Sequence, residues 1–345
     1  MPTWSRLRRL VARVRRGLRA PLRVLHHDDY RLPFTSIEAR TGLGPRRADF
    51  ALWKLQIDGA LGEDGLWEAP RALLSDVLRV HTGRLVESLG DPDVLGAVFA
   101  VEPWDVPVDA VLDTVLRGVG GTVDAARLAL DSPGPVLNLF GGFHHAAPDV
   151  AAGFCALNDI AIAVEAVRAG GFSGTVGILD LDAHPPDGTA ACFEGDPGVW
   201  IGSLSGSDWG ELPGAVDETV LPEGTGDDDY LAALDGLLDR APRADLWFVL
   251  AGGDVVAEDP IGMLGLSESG AAERDRRVLR HLGRQPQVWL PGGGYGPHAW
   301  RRTPSGLVPR PAPPGSCARP SSLRGSLGLR AARRRAFGLG RLAPT

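Results

Sequence analysis

The stretch TVGILDLDAH, residues 175–184, runs from an apolar segment straight into two carboxylates and an imidazole, and Asp187 follows shortly after. Thr175 to Asp180 has the length and apolar content of a buried strand. Alternate residues of an extended chain share a side, so Asp182 and His184 can grip one ion while Asp180 starts on the same side and supports them. A carboxylate oxygen with an imidazole nitrogen suits zinc or a similar divalent ion such as iron(II). Two ligands are too few. Asp254, in the turn Gly252-Gly253-Asp254 after the apolar run Leu246 to Ala251, is the natural third, and three protein ligands leave coordination open for water and a substrate carbonyl. Any one of these carboxylates alone reads equally well as a solvated loop residue.

Two more polar clusters follow apolar runs. In Gly141-Gly142-Phe143-His144-His145-Ala146, adjacent histidines could deprotonate a water and later protonate a leaving amine, with Asp180 and Asp187 orienting the rings. Exposed imidazoles in a turn, or extra metal ligands, are the alternatives. In Gly292-Gly293-Gly294-Tyr295 a glycine turn can bring a phenol over a pocket, where it could stabilise an oxyanion, although a structural tyrosine capping the sheet fits the same letters.

Around these clusters the chain alternates short apolar runs with amphipathic segments from about Leu22, the pattern of a three-layer α/β/α fold with a mainly parallel sheet. Strands are expected at Val136 to Leu139, Thr175 to Asp180, Val199 to Leu204, Leu246 to Ala251 and Gln287 to Leu290, and helices at Phe154 to Arg168 and Tyr230 to Asp239. Ligands of open parallel sheets collect at the carboxyl ends of strands, so these clusters should converge on one crevice.

The 345 residues allow a large core, and 44% of them are hydrophobic. The 3 cysteines show no paired spacing and no secretory segment opens the chain, which favours a reducing, cytoplasmic setting. No apolar run is long enough to cross a bilayer. The net charge is -7 and every Asp and Glu lies between Asp28 and Asp275, so direct nucleic-acid binding is not expected while a cationic substrate is favoured. Residues 1–21 form a basic segment with apolar residues at helical spacing, read as a solvated arm or as a weak membrane-surface contact through residues 1–20. Residues 22–302 are the expected catalytic body. Residues 303–345 are rich in Arg and Pro and are expected to be disordered.

Taken in order, GGFHHA, GFCALNDIAIA, DLDAH with DGT, AGGD with DPIG, and PGGGY resemble the zinc-dependent histone deacetylase family. HHDDYRLPF, Val80-His81-Thr82 and the GGTVDAARLAL segment extend the likeness over most of the chain, and DLDAH with GGTVDAA is nearest to the class IV branch and its bacterial relatives. The resemblance implies an arginase/deacetylase fold and hydrolysis of an acyl-amine: an acyl-lysine in a protein, or an acetylated small amine. It implies zinc on Asp182, His184 and Asp254, polarising the acyl carbonyl and lowering the pKa of the attacking water. His145, paired with Asp187, becomes general base and then acid; His144, paired with Asp180, tunes the site; and Tyr295 donates to the oxyanion. Phe154 forms a wall of the acyl tunnel with Gly153 beside it, and a potassium ion is implied near Asp180, Ser203 and Leu204.

Two departures stand out. Pro185-Pro186 follows the ligand histidine where the family has histidine or glutamine and then glycine, removing two backbone donors and fixing two φ angles. After Trp300 the sequence is unlike the family's closing helix. These departures motivate a catalytically silent scaffold of the same fold as one competing interpretation. A manganese ureohydrolase of the arginase kind is the other, although its two-metal site would need more aspartate ligands and the histidine pair with Gly-Gly-Gly-Tyr speaks against it.

Overall fold

A computed structural model describes residues 22–34, 36–302 and 307. The expectations for residues 1–21 and 303–345 lie outside these, apart from Leu307. Eight strands form one sheet: β1 (Leu22–His26), β2 (Leu61–Glu68), β3 (Gly134–Asn138), β4 (Val176–Asp180), β5 (Val199–Ser205), β6 (Val216–Val220), β7 (Leu246–Leu250) and β8 (Pro286–Leu290). Their order is β2-β1-β3-β8-β7-β4-β5-β6, and every neighbouring pair is parallel. The helices are α1 (Ile37–Thr41), α2 (Arg47–Ile57), α3 (Leu74–Val77), α4 (Gly83–Ser88), α5 (Pro92–Phe99), α6 (Val108–Asp131), α7 (Asp159–Ala169), α8 (Asp187–Cys192), α9 (Asp227–Arg240) and α10 (Glu268–Leu282). The parallel sheet with its helices is the three-layer α/β/α arrangement expected from the sequence.

The central strands carry the layering in their sequences. All five residues of β4 (VGILD) and of β7 (LWFVL) are buried, which requires cover on both faces. One face is built by α6 and α7, which pack on each other, with α6 also lying against β3 and β8. Small residues let α6 come close: a Cβ on Gly118 would stand 3.1 Å from the carbonyl oxygen of Phe140 and from the Phe143 ring.

All five expected strands are present within two residues of their expected ends. The expected helix from Phe154 begins instead at Asp159. Gly153 and Phe154 both take left-handed backbone angles, φ 55° and 64°, which no right-handed helix admits, and the Asn158 side chain accepts from the Ala161 N–H to cap α7. Both edge strands were missed, as was β1. β6 (VDETV) is mostly half-buried and polar, and β2 (LGEDGLWE) carries glycines and acids, so neither has the apolar run of a central strand. No helix among the described residues is long and apolar enough to cross a membrane.

Candidate metal centre

Strands β3, β8, β7 and β4 are consecutive in the sheet and point the same way, so the loops after them open on one edge. Those loops carry the histidine pair, the glycine–tyrosine turn, Asp254, and Asp182 with His184. The structure brings the expected ligands together: one donor atom each from Asp182, His184 and Asp254 lie within 4.8 Å of one another. Nδ1 of His184 is 3.2 Å from Oδ1 of Asp182 and 3.1 Å from Oδ2 of Asp254.

Backbone donors hold the carboxylates in place. Gly293 N–H donates to Oδ2 of Asp182 at 2.7 Å, and Ala183 N–H donates to Oδ1 of Asp254 at 3.1 Å. The glycine turn is needed for this approach: Gly292 has φ 54°, and a Cβ there would lie 2.8 Å from Oδ2 of Asp182. Asp182 and Asp254 are 1% and 0% exposed, a costly place for two anions without a cation. Burial by itself would lower the His184 pKa, yet bonds to Asp182 and Asp254 and their charge push it up to about 11. Burial, then the Asp182 charge, push Asp254 up to about 7. A proton on His184 thus takes the place that a divalent cation fits, and the donor set of two carboxylates and one imidazole suits zinc.

Pro185 and Pro186 do not open this group. Both are buried, and their missing donors fall where the chain enters α8, whose first residues have no intrahelical acceptor to bond. The carbonyl of Pro186 accepts from Ala190 at 2.8 Å, and α8 starts on Asp187.

The two histidines have different surroundings. Nδ1 of His144 is 2.9 Å from Oδ2 of Asp180; burial opposes its protonation, but the Asp180 and Asp182 charges raise its pKa to about 9. Nδ1 of His145 is 2.6 Å from Oδ1 of Asp187; burial and then the His144 charge lower it to about 4 despite Asp187. The two like groups are thus pushed to opposite sides of neutrality by their surroundings. Across the β4–β5 register Asp180 pairs with Ser203, whose buried Oγ has no hydrogen-bond partner, next to buried Leu204. An orphaned oxygen beside a buried carboxylate fits the potassium position expected there.

Tyr295 is 7% exposed, and its backbone N–H donates to Oδ2 of Asp259 at 2.8 Å. Burial and the charges of Asp182 and Asp254 hold its phenol well above the ordinary range, so it stays a donor. Tyr295 and Phe154 share one cavity with both histidines and Gly153, their rings 5.3 Å apart. A Cβ on Gly153 would stand 2.5 Å from Cδ2 of His145. The left-handed Phe154 is one of two non-glycine residues with positive φ among those described, a strain of about 1–3 kcal/mol of the kind found at functional sites.

Three neighbours of the site went unremarked in the sequence. Trp209 stacks on the His145 ring at 5.1 Å and 24° and is 50% exposed; a lone tryptophan in the polar loop SGSDWGELPG was its only signal. Arg47, half-buried at the start of α2, lines the cavity, and as one of two arginines in GPRRADF it carries no signal of its own in the sequence. Asp159, fully buried, accepts from the N–H groups of Gly142 at 3.0 Å and Phe143 at 2.7 Å and from Oγ1 of Thr122 at 2.6 Å, so it holds the glycine loop that carries the histidines.

Fold and site together define a parallel α/β protein with an Asp-His-Asp group able to hold a metal ion at the carboxyl edge of its sheet. The histone deacetylase domain model matches residues 43–308. Histone deacetylase 2 of Arabidopsis thaliana is 30% identical over 287 residues, covering 79% of this chain and 74% of that one. A probable deacetylase of Archaeoglobus fulgidus is 33% identical over 248 residues, 64% of this chain and 67% of that one. The crystal structure of a histone deacetylase homologue from Aquifex aeolicus superposes with a TM-score of 0.70 at 24% identity, covering 83% and 82% of the two chains. The chain belongs to the histone deacetylase family, a family of deacetylases and related amide hydrolases.

Proposed function

We propose that this chain is a zinc-dependent deacylase that hydrolyses the amide between an acyl group and a lysine or another amine. The observation that carries this is the Asp182/His184/Asp254 group lying beside a neutral, carboxylate-oriented His145 and a protonated Tyr295. A bound zinc ion, or iron(II) in its place, would supply Lewis acidity at the acyl carbonyl and at water.

The remaining work falls to the chain's own groups. With Nδ1 of His145 donating to Asp187, Nε2 is free to take a proton from the attacking water and to return it to the departing amine. Tyr295 donates its phenolic hydrogen bond to the oxygen on which charge develops. His144, held by Asp180, keeps positive potential nearby, and potassium near Asp180, Ser203 and Leu204 would steady that carboxylate. Phe154 and Trp209 offer aromatic walls to the acyl–amine stem. Among the described residues there is one metal-ligating group, which favours this chemistry over a two-metal ureohydrolase.

The test is metal analysis with turnover on acetyl-lysine peptide, longer acyl-lysine peptides and acetylated polyamines. About one zinc per chain and hydrolysis of at least one substrate are expected. A folded protein that binds no divalent metal and turns over none of the panel would overturn the proposal and leave the scaffold interpretation.

A further inference from the structure

Helix α10 contains the charge run Glu273-Arg274-Asp275-Arg276-Arg277, which reads as a solvated face, yet its second and third members are 0% and 1% exposed. Glu273 pairs with Arg276 and Arg280 on the outer side. Arg274 points inward. Its Nε donates to Oδ1 of Asp275 at 3.0 Å, which compensates the buried charge. Its Nη1 donates to two backbone carbonyls at once, Leu181 at 3.1 Å and Gly252 at 2.7 Å.

Those carbonyls belong to the loops that bear the metal-binding carboxylates. Leu181 sits between Asp180 and Asp182, and Gly252 is two residues before Asp254. The β4–β7 ladder runs as far as Leu181 N–H donating to Leu250 at 2.9 Å. Beyond that point the two loops lie against each other, since a Cβ on Gly252 would stand 2.6 Å from Cα of Asp182. The distance between the two carboxylates therefore follows the backbone separation of the loops, and one guanidinium nitrogen bridges them. A buried ion pair contributes little net stability compared with well-packed apolar residues, so geometry is the stronger reason for a charge here.

We propose that Arg274 is a positioning residue that sets the spacing of Asp182 and Asp254 by clamping the Leu181 and Gly252 carbonyls, an inference that rests on the zinc reading above. Lysine keeps the charge but lacks the planar fork, and cannot hold Asp275 and both carbonyls together.

The test compares Arg274→Lys and Asp275→Asn with the wild-type chain, using zinc competition against a chromophoric chelator, the visible spectrum of the cobalt-loaded protein, and thermal melting without metal. Both variants should melt lower. Arg274→Lys should bind zinc about 10- to 100-fold more weakly and shift the cobalt bands, whereas Asp275→Asn, which retains both carbonyl bonds, should keep zinc affinity within about twofold. If the wild type binds zinc and Arg274→Lys binds it equally well with unchanged cobalt bands, the positioning role is wrong. A wild type that binds neither metal defeats the zinc reading, and the clamp with it. If Arg274→Lys does not fold, hydrogen exchange on the wild type decides: zinc should protect the amides of residues 268–282 more than those of β1, and equal protection rejects the clamp.

Discussion

The Asp187 carboxylate lies 2.6 Å from Nδ1 of His145, across a sequence separation of 42 residues and at the first turn of a six-residue helix. A carboxylate there fixes the ring proton on Nδ1 and leaves Nε2 as the acceptor. An asparagine could present its amide hydrogens instead and favour the opposite tautomer. Asp187→Asn should lower kcat about 10- to 100-fold with zinc content unchanged, read from steady-state kinetics beside metal analysis. A variant with wild-type kcat would remove His145 from the proton-transfer role.

Tyr295 is held through its backbone, by Asp259 on its N–H, so the phenol can be removed without loosening the turn. Tyr295→Phe is expected to lose about 10²–10³ in kcat, the usual cost of one oxyanion donor, while zinc affinity and melting temperature stay close to wild type. A drop in melting temperature that matches the lost activity would point to packing rather than hydrogen bonding.

How much of this was legible in the sequence depends on how each feature is built. β3, β8, β7 and β4 are covered on both faces, so they announce themselves as apolar runs, and the polar residues after them mark the site. Edge strands have no such signature, and β6 is mostly polar because much of its surface meets water. The start of α7 was misplaced because the apolar period of GFCALNDIAIA runs on through two left-handed residues that only the folded turn reveals. Asp159 and Arg274 were passed over for a related reason. Each looks like an ordinary helical charge until its partners, distant backbone groups, are brought to it.

Asp159 supplies a sharper test of that point, since its carboxylate accepts two buried N–H groups of the glycine loop. Asp159→Ala orphans both donors. The expected loss is about 1–3 kcal/mol for each, measured by urea denaturation. Activity should fall further than the folded fraction explains, because the loop carries His144 and His145. A stable, fully active Asp159→Ala would show that the loop holds its shape without the carboxylate.

His81 lies beside the same loop and makes folding sensitive to acid. Its Nδ1 is 3.0 Å from the carbonyl oxygen of Ala147, and its Nε2 accepts from the N–H of Asn158 at 2.9 Å, so the ring is neutral with its proton on Nδ1. Burial lowers its pKa to about 4, with the carbonyls of Ala147 and Pro148 opposing in part. In the unfolded chain the ring titrates at the ordinary histidine value of about 6.5. Between these two values the unfolded state binds more protons than the folded one, so stability is lost as pH falls below 6.5 and the loss stops growing below about 4. One histidine contributes a slope of at most about 1.4 kcal/mol per pH unit. His81→Gln can still donate and accept but does not titrate. Urea denaturation of metal-free protein at steps between pH 7 and pH 4 should therefore give a flatter stability profile for His81→Gln than for the wild type. His145, also lowered to about 4, adds a slope of the same sign and Asp254, raised to about 7, one of the opposite sign. The difference between the two profiles is therefore what reports His81, and identical profiles would show that His81 contributes none of the slope.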